Sequence, residues 1–119
     1  MRTLWAVTLL SACLATAGCR SAFINATVSN HRNEPISLIE VDYPSATFGI
    51  QKLAPGQDYH YRFKVIGTGH VTVVWNEGQD QKKSSGPVLR DGDDGNLNVT
   101  FTNGAAPSWD VRLDNRTLD

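Results

Sequence analysis

The sequence has few of the residues that build specialised sites. It contains two cysteines, Cys13 and Cys19, one methionine and three histidines. A chain that begins at Cys19 has no second cysteine, so it cannot form an intrachain disulfide. A blue-copper centre uses His and Cys ligands and usually a Met. Because no Cys or Met follows residue 19, that centre is excluded from the rest of the chain.

An excess of charge of either sign is also missing. The 11 Lys and Arg residues nearly balance the 12 Asp and Glu residues, and the formal net charge is -1. Nucleic-acid-binding domains carry strongly basic surfaces, so no nucleic-acid partner is expected. With 40% hydrophobic and 19% charged residues in a chain of 119, the composition is that of one folded domain and not of a disordered tail.

Only one long hydrophobic run is present, and it lies at the N-terminus. Residues 4–17 carry no charge and follow a short positive start at Arg2. The run is shorter than the ~20 apolar residues of a membrane-spanning helix and has the length of a signal-peptide core. Residues 1–18 are therefore predicted to be a signal peptide and not a buried helix.

The end of this run carries a second signal. Ala17, Gly18 and Cys19 resemble the lipobox of bacterial lipoproteins, although Thr16 stands where that motif usually has Leu. In those proteins the cysteine is acylated, with chains such as palmitate, and becomes the mature N-terminus. The resemblance implies a lipid on Cys19, a short tether at residues 19–21 and a membrane anchor in the bacterial cell envelope.

The destination of the mature chain depends on how this region is processed. Arg20 stands where an Asp would retain a lipoprotein at the inner membrane, so the resemblance points to the periplasmic face of the outer membrane. Residues 10–13 also resemble a lipobox, which makes Cys13 the alternative lipidation site. Cleavage after Ala17, at an A-x-A sequence, would instead give a soluble secreted or periplasmic protein.

From residue 22 onward, apolar and polar residues alternate with the period of two that is typical of β-strands. Turn segments such as residues 29–35 separate the alternating stretches. Strands are predicted at residues 24–28, 36–43, 47–50, 58–65, 70–76, 81–85, 97–101 and 109–113. The segments 81–85 and 109–113 are expected at sheet edges and 70–76 inside a sheet. The prediction is an all-β fold, a single antiparallel β-sandwich of about seven or eight short strands over residues 22–113, followed by a tail at 114–119.

One local motif narrows the type of sandwich. Residues 53–59, Leu-Ala-Pro-Gly-Gln-Asp-Tyr, resemble the L-x-P-G-x-x-Y segment of fibronectin type III domains. The resemblance implies an immunoglobulin-like sandwich in which Leu53 fills the core and Pro55 and Gly56 form the turn. It also implies that the hydroxyl of Tyr59 bonds back to the upstream backbone. The motif covers about seven residues of 119. It therefore implies the sandwich architecture but not the order of the strands.

The densest acidic cluster is the candidate for a metal site. Asp91, Asp93 and Asp94 offer carboxylates, which suit Ca²⁺. The segment departs from the EF-hand pattern, because Thr102 occupies the position of the bidentate Glu. Asp and Gly are also ordinary turn residues. A turn is expected here, with no metal and no other cofactor, and weak calcium binding is the alternative.

Two groups of charged residues suggest an interaction face. Glu40 and Asp42 share the polar side of one predicted strand, and His60, Arg62 and Lys64 share that of another. If the two strands are neighbours in one sheet, their opposite charges pair across it. We take these five residues as the candidate surface for a partner.

No motif of nucleophilic catalysis is present. The chain has no G-x-S-x-G sequence and no cysteine after residue 19. The expected function is that of a non-enzymatic lipoprotein of the cell envelope, a module that binds or scaffolds an unidentified envelope protein or polymer. A soluble exported module, calcium-binding through residues 91–94 in one version, is the first alternative. A hydrolase with an unrecognised site is the second.

Overall fold

The computed structural model describes residues 22–114, which form eight strands in two four-stranded sheets. The strands are β1 (Ile24–Asn30), β2 (Ile36–Tyr43), β3 (Ala46–Leu53), β4 (Asp58–Phe63), β5 (Gly69–Glu77), β6 (Asp80–Leu89), β7 (Gly95–Phe101) and β8 (Ser108–Leu113). The all-β sandwich and its number of strands are confirmed. The predicted signal peptide, both cysteines and residues 115–119 lie outside the described residues.

The two sheets bury one shared core. Alternate residues of the central strands point inward, so that β1 contributes Ile24 and Val28, β7 contributes Phe101, and β5 contributes Val73, all at most 2% exposed. Burying an apolar side chain of this size stabilises the fold by about 1.5–3 kcal/mol. The period-two pattern of the sequence is therefore the pattern of the core.

The order of the strands differs from that of immunoglobulin domains. Sheet 1 has the order β4-β1-β7-β8, and sheet 2 has the order β3-β2-β5-β6. Neighbours are antiparallel except β1 and β7, which run parallel. In an immunoglobulin constant domain the first two strands share a sheet, whereas here β1 and β2 lie in opposite sheets. The fibronectin-like motif left this order open, and the structure supplies it.

Two strands carry bulges. In β2 the register with β5 shifts between Ser37 and Glu40, and Leu38 has a positive φ of 53°. The extra residue lets Ile36 and Ile39, three positions apart, both face the core. In β6 the register shifts opposite residues 70–72, so the strand continues past the predicted end at residue 85 to Leu89.

Other strand predictions hold with small changes. β6 and β8 are at sheet edges and β5 is inside its sheet, as expected. β4 ends at Phe63 and not at Val65, because the chain leaves sheet 1 there and crosses to sheet 2. Val65 stays buried at 1% exposure, whereas Tyr61, which alternates with the polar residues His60 and Arg62, is 37% exposed at the edge of the sandwich.

Aromatic side chains close the two flanks where the sheet edges face each other. Between β3 and β4, the rings of Phe48 and Tyr61 stack with centroids 4.4 Å apart. Beside them, the ring of Tyr43, at the end of β2, stacks on that of Phe63 at 3.9 Å. Between β6 and β8, the indole Nε1 of Trp109 donates a hydrogen bond of 3.1 Å to the Ser84 hydroxyl. Each flank is therefore joined through side chains and not by backbone pairing.

The sandwich has two distinct ends. Residues 22 and 114 lie at one end, which we call the terminal end, together with the connections 44–45, 64–68 and 90–94. The opposite end, which we call the loop end, carries the connections 31–35, 54–57, 78–79 and 102–107. The two ends present different chemistry, so the candidate sites below are assigned to one or the other.

Candidate functional site

The loop end is built around a buried asparagine that the sequence analysis placed in a polar turn. Asn30 ends β1 and is 0% exposed. Its side-chain Nδ2 donates to the carbonyls of Glu34 at 2.9 Å and Leu53 at 3.0 Å, and its Oδ1 accepts from the Arg32 amide at 2.8 Å. One side chain therefore fixes two of the four connections at this end.

The fibronectin-like motif forms a tight turn beside Asn30. The Gln57 amide donates to the Ala54 carbonyl at 3.0 Å, and Gly56 has a φ of 78°, which is the geometry of a turn with Pro and then Gly at its centre. The Gly56 amide donates to the Asn30 carbonyl at 2.7 Å. Leu53 is fully buried. The turn is thus attached to β1 as well as closed on itself.

The tyrosine of this motif differs from the corner that the resemblance implies. Within residues 22–114, the Tyr59 hydroxyl has no hydrogen-bond partner. Its half-buried ring packs instead on the flank, with its centroid 6.2 Å from that of Phe48. The contribution of Tyr59 is therefore the packing of its ring.

Arg32 is the central charged residue of the loop end, and the sequence analysis did not single it out. Its Nε donates to the Thr102 carbonyl at 3.0 Å and its Nη2 to the Ala105 carbonyl at 3.1 Å. Its Nη1 pairs with Glu77 Oε1 at 3.5 Å, and its guanidinium lies 5.4 Å from the centroid of the Phe101 ring. The side chain is 11% exposed, so Arg32 joins the 31–35 connection, the end of β5 and the 102–107 connection from a nearly buried position. No local sequence pattern distinguishes such an arginine from a solvated one.

Glu77 extends the Arg32 contact into the core. Its Oε2 accepts a 3.0 Å hydrogen bond from the indole Nε1 of Trp75. The Trp75 ring meets the Phe101 ring edge to face, with centroids 5.1 Å apart. Both oxygens of this carboxylate are therefore engaged, and the loop end is held as a rigid unit.

Two clefts flank the Arg32–Glu77 pair. The larger has a volume of about 560 Å³ and the smaller about 340 Å³. Residues of the larger cleft include Glu34, Ser37 and Asn76, and those of the smaller include Lys82 and Lys83. Both clefts share Arg32 and Glu77, so the larger adds the carboxylate of Glu34 and the smaller adds the ammonium groups of Lys82 and Lys83.

A threonine hydroxyl and a histidine imidazole form a hydrogen bond on the outer face of sheet 1. Thr27 Oγ1 and His60 Nδ1 are 3.1 Å apart across β1 and β4, in a depression of about 260 Å³. Nucleophilic catalysis also needs a group that orients the imidazole. Among the described residues, no carboxylate contacts the His60 ring. The pair is accordingly described as a cross-strand hydrogen bond.

The candidate interaction face is divided between the two sheets. Glu40 and Asp42 lie on the outer face of sheet 2, whereas His60 and Arg62 lie on the outer face of sheet 1, and Lys64 follows β4 in the 64–68 connection. The expected pairing of opposite charges across neighbouring strands does not form. The reason is that the chain crosses between sheets at residues 54–57, so β2 and β4 are not neighbours.

Each half of that face has its own local contacts. The Arg62 guanidinium lies 4.1 Å from the centroid of the Phe23 ring, which places a cation over an aromatic face. Thr47 Oγ1 donates to Asp42 Oδ1 across β2 and β3. The structure therefore presents two separate polar surfaces in place of one.

The three aspartates of the calcium alternative bond to different segments of the terminal end. Asp91 Oδ1 accepts from the Gly67 amide at 3.0 Å, and Asp94 Oδ1 accepts from the Phe23 amide at 3.4 Å. Asp93 is 2% exposed, and its Oδ2 accepts from the Arg90 amide at 2.8 Å. Across residues 22–114, no three His, Cys, Asp or Glu side chains are grouped so that they could hold a metal ion.

The pKa of Tyr43 departs from its usual range. Burial of the ring against Phe63 raises the pKa of its hydroxyl, and the neighbouring Tyr61 adds to the increase. A tyrosine with a raised pKa stays protonated at neutral pH. It therefore acts as a packed aromatic side chain and not as a base.

The candidate lipidation sites Cys19 and Cys13 lie outside the described residues, as does the proposed tether at residues 19–21. Residue 22, where the description begins, is at the terminal end, and β1 starts at Ile24. In the described part of the chain, no helix has the length and apolar character needed to span a membrane.

Comparisons with known proteins concern the fold. No protein-family model matches the sequence, and no curated protein matches it. The fold is similar to that of a protein from Eubacterium rectale with an NMR structure, with a TM-score of 0.54 over 79% of this chain and 94% of that chain. The identity between the two sequences is 9%, so the similarity establishes a shared fold and nothing about function.

Proposed function

We propose that the chain is a non-enzymatic binding or scaffolding module that a lipid on Cys19 anchors in a bacterial cell envelope. The observation that supports the proposal is the position of residue 22 at the terminal end of the sandwich. Residue 22 is three steps along the chain from Cys19, which is a reach of about 10 Å. A lipid on Cys19 would therefore keep the terminal end close to the membrane surface.

This orientation would present the loop end to the envelope. A strand rises about 3.3 Å per residue, so the seven residues of β1 carry the loop end roughly 20 Å further from the lipid. Asn30 and Arg32 hold the connections of the loop end in place. A preorganised surface binds a partner without the cost of ordering loops.

The proposal assigns a structural role to the charged groups that could be mistaken for catalytic ones. Arg32 and Glu77 bond to backbone carbonyls and to Trp75, and Asp91 and Asp93 bond to backbone amides. Two or three acyl chains are a stable membrane anchor where one chain is marginal. In this view the protein is held at the periplasmic face of the outer membrane and acts by contact.

Fractionation of cells tests the anchor. The Cys19→Ser variant should move from the membrane to the soluble fraction, because the sandwich has no other attachment in the proposal. The Cys13→Ser variant is the matched control and should stay with the membrane. Retention of the Cys19→Ser variant after a high-salt wash, or release of the control alone, would contradict the assignment to Cys19.

Site-specific crosslinking in intact cells tests the binding role. A photoreactive residue in place of Glu34, at the loop end, should give a discrete crosslinked species that is absent when it replaces Asp114 at the terminal end. The same diffuse background at both positions would argue against a specific neighbour at the loop end.

A further inference from the structure

The strand β3 is one of the two edges of sheet 2, the other being β6. An edge strand offers unpaired amides and carbonyls to another chain unless lysines, bulges or covering side chains discourage it. The edge strand β6 carries two such lysines, Lys82 and Lys83, and a bulge. β3 has eight residues, no proline and a single lysine near its end, with Gly49 at its middle.

Gly49 leaves a gap on the outer face of sheet 2. Its partner across β2 is Glu40, and both residues are exposed. Since Gly49 has no side chain, the Glu40 carboxylate can be reached from the free edge of β3. A shallow depression of about 380 Å³ lies over this position, with Leu38, Glu40, Thr47 and Gln51 among its lining residues.

Leu38, which lies beside this gap, has an unfavourable backbone conformation. Its φ of 53° lies in the left-handed region that glycine and asparagine adopt more readily than leucine. Its side chain is also 55% exposed, although the rest of the outward side chains around the depression are polar or absent. The exposed Leu38 side chain therefore offers an apolar contact at the rim of the depression.

We propose that β3 accepts an extended segment of another protein as an added strand. A lysine or arginine of that segment would lie across Gly49 and reach the Glu40 carboxylate, with its aliphatic stem against Leu38. The negative charge of the Glu40 carboxylate favours a positively charged side chain in the partner. Among the described residues, Glu40 has no ion-pair or hydrogen-bond partner, while Asp42 is already bonded to Thr47.

Two kinds of contact would contribute to the binding free energy of the added strand. Main-chain hydrogen bonds to the free edge give affinity that does not depend on sequence, and the side-chain site gives the preference. Because the Glu40 contact is exposed, salt screens the preference and leaves the main-chain bonds in place. The inference rests on the proposed binding role, but it does not depend on the lipid or on the loop end.

Backbone amide NMR of the full chain, with defined peptides as probes, tests the inference. The probe is a capped nine-residue peptide of alternating Thr and Val with a central Lys, and the comparison peptide has Glu at that centre. The Lys peptide should shift the amide signals of β3 and bind at least tenfold more tightly than the Glu peptide. In 0.5 M salt the two affinities should approach each other.

Two substitutions test the Glu40 contact without unfolding the protein. A Cβ added at Gly49 meets only the Ile39 carbonyl oxygen at an ordinary 3.7 Å, so Gly49→Val should fold normally while it blocks the gap. Leu38→Gly should keep or raise the melting temperature because it removes the strain. Both variants should lose most of the preference for the Lys peptide. Thr72→Val, on the outer face of β5, is the matched control and should bind like the native chain.

The outcomes distinguish this inference from the proposed function. Equal affinity for the two peptides, shifts centred on β4, β6 or β8, or unchanged binding by the folded Gly49→Val variant would each overturn strand addition at β3. The anchor test in cells can fail while the peptide result stands. Conversely, a Cys19-dependent anchor with a crosslinked neighbour at the loop end would survive the loss of the β3 site.

Discussion

The indole of Trp109 lies directly on the backbone of Gly86. A Cβ built at Gly86 would come within 2.5 Å of Trp109 Cδ2 and 2.6 Å of Cε3, distances that atoms in proteins do not tolerate. Trp109 belongs to the edge of sheet 1 and Gly86 to the edge of sheet 2. The close approach therefore closes the flank between the two sheets, and it requires a residue without a side chain.

We expect Gly86→Ala to destabilise the fold by about 2 kcal/mol, in the range for overpacked sites. The cause is displacement of the Trp109 ring, so most of the loss should disappear when the same substitution is made in a Trp109→Leu background. Urea unfolding of the two single variants and the double variant measures this coupling. A similar loss in both backgrounds would show that the ring is not the cause.

Gly49→Ala is the control for this pair. Both glycines lie in edge strands, but a Cβ at Gly49 has only the 3.7 Å contact with the Ile39 carbonyl oxygen. The change should therefore leave the midpoint of unfolding nearly unaltered.

The alternation of side chains explains why the strands could be predicted. The bounds of β2 agree with the prediction, and β7 differs only at its first two residues, since inward and outward positions are written directly into the sequence. The bulge at Leu38 also has a signal, because Ile36 and Ile39 are both apolar and cannot face the core in a regular strand. The extension of β6 was missed because Gly86 and Pro87 are typical of turns, although edge strands accept proline at bulges.

The alternation of side chains could not predict which strands are neighbours or which residues form the candidate site. Alternation states which side of a strand is polar, but not which strand lies beside it, so Glu40 and Arg62 were placed on one face. Arg32 and Asn30 act through carbonyls from connections far apart in sequence, and no local spacing records such contacts. Polar residues with long-range roles in loops resemble solvated ones until the fold brings their partners together.

We expect substitutions of Asn30 to lower the free energy of unfolding. Asn30→Ala removes the donors to the Glu34 and Leu53 carbonyls and the acceptor for the Arg32 amide. With about 1–3 kcal/mol for each buried group left unsatisfied, we expect a loss of at least 3 kcal/mol in the free energy of unfolding. Chemical denaturation measures it directly.

Asn30→Asp provides a pH-dependent version of the same test. The ionised carboxylate would be buried and could not donate to either carbonyl, so its folded-state pKa should be raised above the unfolded value. The unfolded state then holds fewer protons, and the variant should gain stability as the pH falls towards 4. A stability that is independent of pH between 4 and 7 would mean that Asn30 is more hydrated than its burial indicates.

Arg32 should matter mainly through its carbonyl contacts. Arg32→Met leaves the Thr102 and Ala105 carbonyls and the Glu77 carboxylate without their donor, and we expect a loss of about 3 kcal/mol. Arg32→Lys should recover only part of it, because an ammonium cannot reproduce the planar fork of the guanidinium.

Glu77→Gln separates the charge from the hydrogen bonds. The Glu77 side chain is 46% exposed, and a glutamine oxygen can still accept from Trp75 Nε1, so the loss should be about 1 kcal/mol or less. The loss should also shrink in high salt. If Glu77→Gln instead costs as much as Arg32→Met, the ion pair and not the carbonyl contacts would hold the loop end.

Tyr59 provides the sharpest comparison with the fibronectin-like corner. A bonded corner hydroxyl contributes about 1 kcal/mol, which Tyr59→Phe would remove. Here the hydroxyl has no partner among residues 22–114 and the ring packs near Phe48, so Tyr59→Phe should change the free energy of unfolding by less than about 0.5 kcal/mol. Tyr59→Ala should cost roughly 2 kcal/mol, less than the 3–5 kcal/mol of a fully buried ring, because Tyr59 is only half-buried. Urea unfolding of both variants decides between ring and hydroxyl: a loss of 1 kcal/mol or more in Tyr59→Phe would place a bonded corner in the folded protein.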